Sequence, residues 1–336
     1  MKKDNIFEIR NLTVKFPLYI GTIYAVNHVD LDIQRGSITA IVGESGSGKS
    51  TIASALLNMV TNPGVIDRES HVYFNGEDVL RMNKAALNKY RWNNVSMVFQ
   101  AAQSCMNPVY TIGQQMIETY REHGDKRSDE TLLKEAGEYL GYVHLDAKRV
   151  LHSYPHELSG GMKQRVMIAF SLLLKPELII LDEPTTALDV ITQDHIFEIL
   201  KNIHDNFGVT LVLLTHDIAV VAKVATHMAI MYAGTVVEQG EIFDVFDAPA
   251  HQYTRQLIAS APSLLDDVQD RRSITGSPPD LLRLPKGCYF SPRCDMCTQQ
   301  CLTTRPETVT FGNDRSVACF RWKVVLEKGE MNRADQ

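Results

Sequence analysis

Gly43-Glu44-Ser45-Gly46-Ser47-Gly48-Lys49-Ser50 decides how the chain is read. It satisfies the phosphate-binding pattern G-x-x-x-x-G-K-[ST]. Upstream, Ile38-Thr39-Ala40-Ile41-Val42 reads as a short buried strand. Downstream, Thr51-Ile52-Ala53-Ser54-Ala55-Leu56-Leu57 reads as the start of a helix. A strand that ends in a glycine-rich curl before a helix points successive N–H groups and the positive end of the helix dipole at one place, which favours bound phosphate. The glycines permit the curl and the close approach. Lys49 is expected to reach the β- and γ-phosphates of a nucleotide, and the Ser50 hydroxyl to hold Mg²⁺. Gly43 through Ser50, with Thr51, form the expected nucleotide-binding set.

Working outward, the 336 residues allow one large domain or two to three small ones, and the composition is that of an ordinary globular protein. A net charge of −6 provides no global basic field for nucleic acid. No apolar run approaches the ~20 residues of a membrane span. Met1-Lys2-Lys3-Asp4-Asn5 has no apolar stretch behind it, so no signal peptide is expected there and a cytoplasmic location is. Membrane association then has to come through a partner.

Residues 6–14 alternate apolar and polar, as a half-buried strand does, and Val26 to Ile33 alternate again. Two antiparallel-type strands therefore precede the phosphate loop, with Phe16, Tyr19 and Tyr24 at or between them. An aromatic there either stacks on a base or simply packs. Residues 71–74 and 95–99 read as further strands, the latter ending at Gln100. From Ile112 to about Lys175 the apolar spacing becomes helical, with a loop at 124–129. This region closes on Leu158-Ser159-Gly160-Gly161, directly before a strong helix from Met162 to Leu174, a second candidate anion-binding helix start. Leu178-Ile179-Ile180-Leu181 then forms a buried strand with Asp182 and Glu183 at its C-terminal end, the edge where ligands bind in open parallel sheets. Asp182 is placed to hold Mg²⁺ through water and Glu183 to polarise an attacking water. The loop 185–189 precedes a helix. Val209 to Thr215 is another buried strand, and His216 just past its end is a candidate to touch a γ-phosphate.

Taken together, these motifs resemble the ATP-binding subunit of an ABC transporter over nearly the whole chain. The discriminating piece is the four-residue signature beginning at Leu158; the phosphate loop, Gln100, Asp182-Glu183, Ala187-Leu188-Asp189 and His216 occur in the family's order. The resemblance implies an α/β fold: a P-loop NTPase with a RecA-like core, an antiparallel β subdomain and an inserted α-helical subdomain at about 101–175. A nucleotide-binding domain is expected over 1–260 and a small C-terminal metal-binding extension over 261–336. By resemblance, Glu183 is the general base, Asp182 supports the metal, His216 contacts the γ-phosphate, and Gln100 links Mg²⁺ and that phosphate to membrane subunits. Phe16 aligns best with the aromatic that stacks on adenine, with Tyr24 as the alternative. Ser159, Gly160 and Gly161 are expected to close over ATP held by an opposite subunit, sandwiching two ATP molecules in a head-to-tail pair.

The C-terminal part resembles the oligopeptide/dipeptide/nickel branch, on Val245 to Thr254, on Gly287-Cys288-Tyr289-Phe290-Ser291-Pro292-Arg293-Cys294, on Tyr154-Pro155-His156-Glu157 and on Asn107-Pro108. Gln252 stands where that branch usually has proline. Ala101-Ala102-Gln103-Ser104-Cys105-Met106 departs from the common peptide-importer sequence and is also seen in relatives assigned to oligosaccharides. The resemblance implies an importer of oligopeptides or dipeptides, with oligosaccharides or nickel as alternatives. It implies a second ATP-binding subunit, often a paralogue, two transmembrane permease subunits, an extracytoplasmic substrate-binding protein, and a peripheral position on the cytoplasmic face of the membrane. The competing class is a soluble ABC-type ATPase unconnected with transport. The single nucleotide domain and the lack of a long coiled coil argue against it.

Five of the six cysteines crowd into the last fifty residues. In a reducing compartment that suggests metal before disulfide. The set Cys288, Cys294, Cys301 and Cys319 resembles the iron–sulfur site of this branch. Four thiolates suit a [4Fe–4S] cluster and also suit tetrahedral Zn²⁺. Cys297 is an extra cysteine that either replaces a ligand or lies nearby. The expected role is structural, since the segment is too short to bury much by itself. Cys105 stands apart as an expected free thiol.

Overall fold

Period-two alternation folds the N-terminal region into two long strands, Asn5–Leu18 and Gly21–Gln34, paired antiparallel. The computed structural model describes residues 4–100, 105–186, 188–260, 274–312 and 315–327. Both strands run beyond the spans expected from their alternation. Asn11 and His28 adopt left-handed φ of 51° where the register shifts, so bulges take up the breaks in pattern. Phe7, Ile9, Leu12 and Val14 of the first strand and Val26, Val29, Leu31 and Ile33 of the second are buried. His71–Phe74 pairs with the other edge of the first strand, and Phe7 meets Phe74 edge-on with ring centroids 5.1 Å apart.

The chain divides into two units, Met1–Arg81 with Leu214–Gln336, and Met82–Leu213. In the first unit the wholly buried strand Ile38–Val42 pairs in parallel with His227–Tyr232. The latter turns at Ala233 and Gly234, both with positive φ, into Thr235–Glu241. The two strands form an antiparallel hairpin. Arg315–Val317 adds to its outer edge, and Val309–Phe311 adds to that. The C-terminal extension therefore continues the sheet of its own unit.

A fully buried carboxylate ties this extension down. Glu238 accepts from the Arg315 guanidinium at 2.6 Å and from the backbone N–H groups of Ala250 at 2.8 Å and His251 at 2.9 Å. Burial pushes the Glu238 carboxyl up, and the Arg315 charge and hydrogen bond oppose that push. The pair makes a polar joint between two strands and the segment leading into helix Gln252–Ser260.

In the second unit Val95–Val98 pairs in parallel with Leu178–Asp182. The expected helical region contains Ile112–Glu122, Asp129–Tyr142, Ala147–Val150 and Gly160–Leu172. Thr111 and Gln114 form a reciprocal capping box, and Ser128 caps the second of these helices. The helix expected from Met162 starts two residues earlier, because the Ser159 side chain accepts the Met162 N–H and makes Ser159 the N-cap. Residues 1–3, 101–104 and Ala187, all used in the sequence reading, lie outside the described residues. Among the described residues no helix is long and apolar enough to cross a membrane.

Removing one partner of a buried ion pair leaves a charge without compensation. Arg315→Met is therefore expected to lower unfolding free energy by about 3–5 kcal/mol, measured by denaturant titration. Adding Glu238→Gln should recover part of that loss.

Candidate functional site

In the first unit, strand Ile38–Val42 ends at Gly43, and helix Lys49–Leu56 starts after Gly48. Gly48 has φ +104°, and a Cβ there would lie 2.2 Å from the Ala25 carbonyl oxygen. A Cβ on Gly43 would lie 2.3 Å from the Met231 carbonyl oxygen. Backbone thus packs on backbone at both ends of the loop, and only glycine fits. As N-cap, Gly48 provides no capping side chain to the helix. Inside the loop, the Ser47 N–H donates to Glu44 O at 3.1 Å. The buried Lys49 ammonium donates to Gly43 O at 2.7 Å and Glu44 O at 3.1 Å, so its head lies over the curl. Ser45, Gly46 and Ser50 are exposed and Thr51 is half-buried.

His216 is exposed in the short link between strand Thr210–Thr215 and helix Ile218–Val224. The long antiparallel pair reaches the loop at Ala25, through the contact with Gly48. Tyr24, adjacent to Ala25, is 39% exposed; Phe16 is half-buried on the neighbouring strand, opposite Ile23.

In the second unit, parallel pairing sets Val98 beside Leu181. The residues just beyond these strands meet: Gln100 Nε2 donates to Glu183 Oε2 at 3.3 Å. Thr186 Oγ1 donates to the same oxygen at 2.7 Å. Glu183 has a left-handed φ of 48°, a conformation that costs a non-glycine residue of order 1 kcal/mol and commonly marks a functional site. Asp182, one residue earlier, is buried at the strand end. Thr186 escaped the sequence reading because a threonine in a loop has no pattern of its own. Ser159 is exposed at its helix start, and Gly160 and Gly161 are partly so. A Cβ on Gly161 would fall 2.9 Å from the Thr192 methyl, which explains the second glycine sterically.

Returning to the first unit, Cys288, Cys294, Cys301 and Cys319 line one small cavity together with His251, Phe290 and Met296. Cys297 is not part of that lining; its sulfur lies 3.6 Å from Thr298 O. The Cys288 N–H donates to Cys301 O at 2.8 Å, and a Cβ on Gly287 would lie 2.1 Å from that same oxygen, so glycine lets two of the cysteine segments touch. Burial pushes the thiols of Cys288 and Cys319 up to about 11 and that of Cys294 up to about 12. None of the six cysteines is in a disulfide, and Cys105 is exposed. The cavity measures about 20 Å³, the room of one water-sized body. Among the described residues no group of three or more His, Cys, Asp or Glu side chains is arranged to hold a metal ion. The donor types suit a thiolate-bound metal.

Sequence reading gave no site role to Tyr253 and Arg293, which lie in the quoted stretches Val245 to Thr254 and Gly287 to Cys294. The Tyr253 phenol oxygen accepts the Glu44 N–H at 3.1 Å. Arg293 forms a two-pronged ion pair with the Glu44 carboxylate at 2.7 and 2.9 Å.

Comparison with known proteins fits this geometry. Residues 26–186 match the family described as ABC transporter, and residues 237–301 match the oligopeptide/dipeptide transporter C-terminal region. The dipeptide transport ATP-binding protein DppD of Caldanaerobacter subterraneus is 42% identical over 318 residues, covering 95% of this chain and 97% of its own. The chain belongs to the ABC transporter ATP-binding subunits of the oligopeptide/dipeptide type. The oligopeptide transport ATP-binding protein OppD of Escherichia coli is 39% identical, over 95% of this chain and 94% of its own. Among solved structures, the dimeric ABC transporter cassette MJ0796 is 30% identical with a TM-score of 0.63, covering 70% of this chain and 98% of that one; the same cassette was also solved with ADP and Pi in a post-hydrolysis state. The fold is accordingly that of the P-loop ABC cassette, and the chain is an ATPase of that family.

Gly48→Ala tests the packing of the loop. The added methyl would strike Ala25 O and its φ would be strained, so ATP affinity should fall by about tenfold or more, the equivalent of at least ~1.4 kcal/mol. Binding of a fluorescent ATP analogue, with circular dichroism as the check on folding, measures it.

Proposed function

We propose that this subunit hydrolyses ATP to drive a membrane importer whose cargo is oligopeptides or dipeptides. The peptide reading is supported by the names of relatives that align over nearly the whole chain. In this reading Gly43 to Thr51 cradle the phosphates, Lys49 neutralises the β- and γ-phosphates, and Phe16 or Tyr24 stacks on adenine. Ser50 and Asp182 hold Mg²⁺, with Gln100 as a further ligand; the ion supplies neutralisation of phosphate charge. Glu183 draws the proton from the attacking water, and His216 contacts the γ-phosphate. Ser159, Gly160 and Gly161 act on ATP held by a second ATP-binding subunit. The remaining partners are two transmembrane permease subunits and an extracytoplasmic binding protein, and the chain works peripherally on the cytoplasmic face of the membrane.

The hydrogen bond between Gln100 and Glu183 carries this mechanism. It gives the base a polar neighbour on the strand end that the family couples to the membrane. With Thr186 donating to the same oxygen, the carboxylate has a fixed orientation, which is what positioning a water requires. Glu183→Gln should bind ATP, accumulate an ATP-dependent dimer in size-exclusion chromatography, and lose hydrolysis by about 10²–10⁴-fold. Parental turnover in the assembled transporter would remove Glu183 from the role of base.

We also propose that Cys288, Cys294, Cys301 and Cys319 hold a structural [4Fe–4S] cluster. Their common cavity supports the ligand set and leaves Cys297 outside it. Admitting a cluster requires the cavity walls to part, whereas a single zinc ion would need less room. The role is to cross-link segments that bury little by themselves. Anaerobically purified protein should contain about four irons and absorb in the visible range, and Cys319→Ser should lose both. Stoichiometric zinc without iron would replace the assignment.

A further inference from the structure

Glu44, the second residue of the phosphate loop, is held from outside the loop at both its backbone and its side chain. Its N–H donates to the Tyr253 phenol oxygen at 3.1 Å. Its carboxylate receives both terminal nitrogens of Arg293, at 2.7 and 2.9 Å. The arginine is itself fixed. Its Nε donates to Thr275 O at 2.9 Å, one terminal nitrogen donates to the Tyr232 hydroxyl at 3.3 Å, and the Tyr232 and Phe290 rings lie 5.8 and 5.9 Å from its central carbon. The Arg293 side chain is 5% exposed and that of Glu44 25%. A pair so far out of water, with the fork fully used, is not the loose surface contact that contributes little.

Glu44 is also a junction inside the loop. Its carbonyl oxygen accepts from the Lys49 ammonium at 3.1 Å and from the Ser47 N–H at 3.1 Å. A displacement of Glu44 therefore reaches the lysine and the backbone curl together. The charge matters separately. A carboxylate on a loop that receives a polyphosphate repels it, unless a cation cancels the field at short range.

We propose that Arg293 is a positioning residue of the nucleotide site: it cancels the charge of the Glu44 carboxylate and holds that side chain in place, so that the loop accepts the phosphates of ATP. This rests on the reading that Gly43 to Ser50 bind ATP. It extends the site to the short turn Ser291–Arg293, between Cys288 and Cys294, in a part of the chain that holds none of the nucleotide motifs.

The experiment is equilibrium binding of ATP and ADP with Mg²⁺ to the full chain, at low and high salt. Arg293→Ala should weaken ATP by about tenfold or more, the equivalent of one charged hydrogen bond. The loss should be larger for ATP than for ADP and should shrink as salt rises. Adding Glu44→Gln should restore most of the lost affinity, which a purely structural role for Arg293 would not allow. Arg293→Lys, keeping the charge without the fork, should fall between parent and Arg293→Ala. If Arg293→Ala does not fold, Glu44→Gln alone carries the test: Arg293 then faces the phosphates uncompensated, and ATP should bind about threefold more tightly. Parental ATP affinity in Arg293→Ala, a loss that Glu44→Gln does not rescue, or weaker ATP binding by Glu44→Gln alone would each overturn the proposal. Lys49→Ala separates the two levels. If it leaves ATP binding unchanged, the loop reading falls and the proposal with it; if it abolishes binding while Arg293→Ala does not weaken it, only the proposal falls.

Discussion

Direct contact of backbone with backbone around the phosphate loop is the constraint on which the nucleotide-binding unit depends. Gly43 lies against Met231 O and Gly48 against Ala25 O, each too close for any side chain. Gly234 closes the same corner, where an added Cβ would meet the carbonyl oxygens of Tyr24 and Ala25, and its N–H donates to Ser47 O at 3.0 Å. Three separate stretches, the antiparallel pair, the loop and the hairpin, thereby fix one another. The shape of the loop is set by neighbours that leave it no other path. Such preorganisation is what phosphoryl transfer asks of a protein, since the chemistry consists mainly of placement and charge neutralisation.

The C-terminal region belongs to that arrangement. Glu238 and Arg315 attach its strand to the hairpin. The rings of Tyr232, Tyr253 and Phe290 pack with centroids 4.7 to 5.3 Å apart, joining hairpin, helix and cysteine segment. Tyr232 and Tyr253 also bring their hydroxyls to the Arg293–Glu44 pair. Burial pushes both phenols up, so they stay neutral and serve as hydrogen-bonding groups through the physiological range. One aromatic cluster thus does two jobs, burying apolar area and orienting the polar contacts of the loop.

The phosphate loop was legible in the sequence because its whole signal is local: a buried strand, glycines at fixed offsets, a lysine and a helix start. Asp182 and Glu183 were legible for the same reason, as carboxylates closing an apolar run. The hydrogen bond from Gln100 to Glu183 was not, because it depends on the register that places Val98 beside Leu181. The start of the signature helix was missed by two residues, since apolar periodicity begins only after Gly160 and Gly161. The cysteines declared themselves by residue type and by resemblance, and the fold places four of them around one cavity with Cys297 outside its lining. Arg293 stood inside the quoted stretch Gly287 to Cys294, but nothing in that stretch pointed to the phosphate loop. The arginine sits in an irregular turn, and its partner is 249 residues away.

That separation has a consequence in the time domain. The ribosome releases the phosphate loop long before it makes Arg293. At about 5–20 residues per second the interval is roughly 10–50 s. Throughout it, Glu44 lacks its counter-charge, however completely the segments already made have folded. If Arg293 positions the loop as proposed, a growing chain, or one cut short before the cysteine turn, carries a phosphate loop with a weaker hold on nucleotide than that of the finished subunit. Full ATP affinity then arrives only with the last part of the chain.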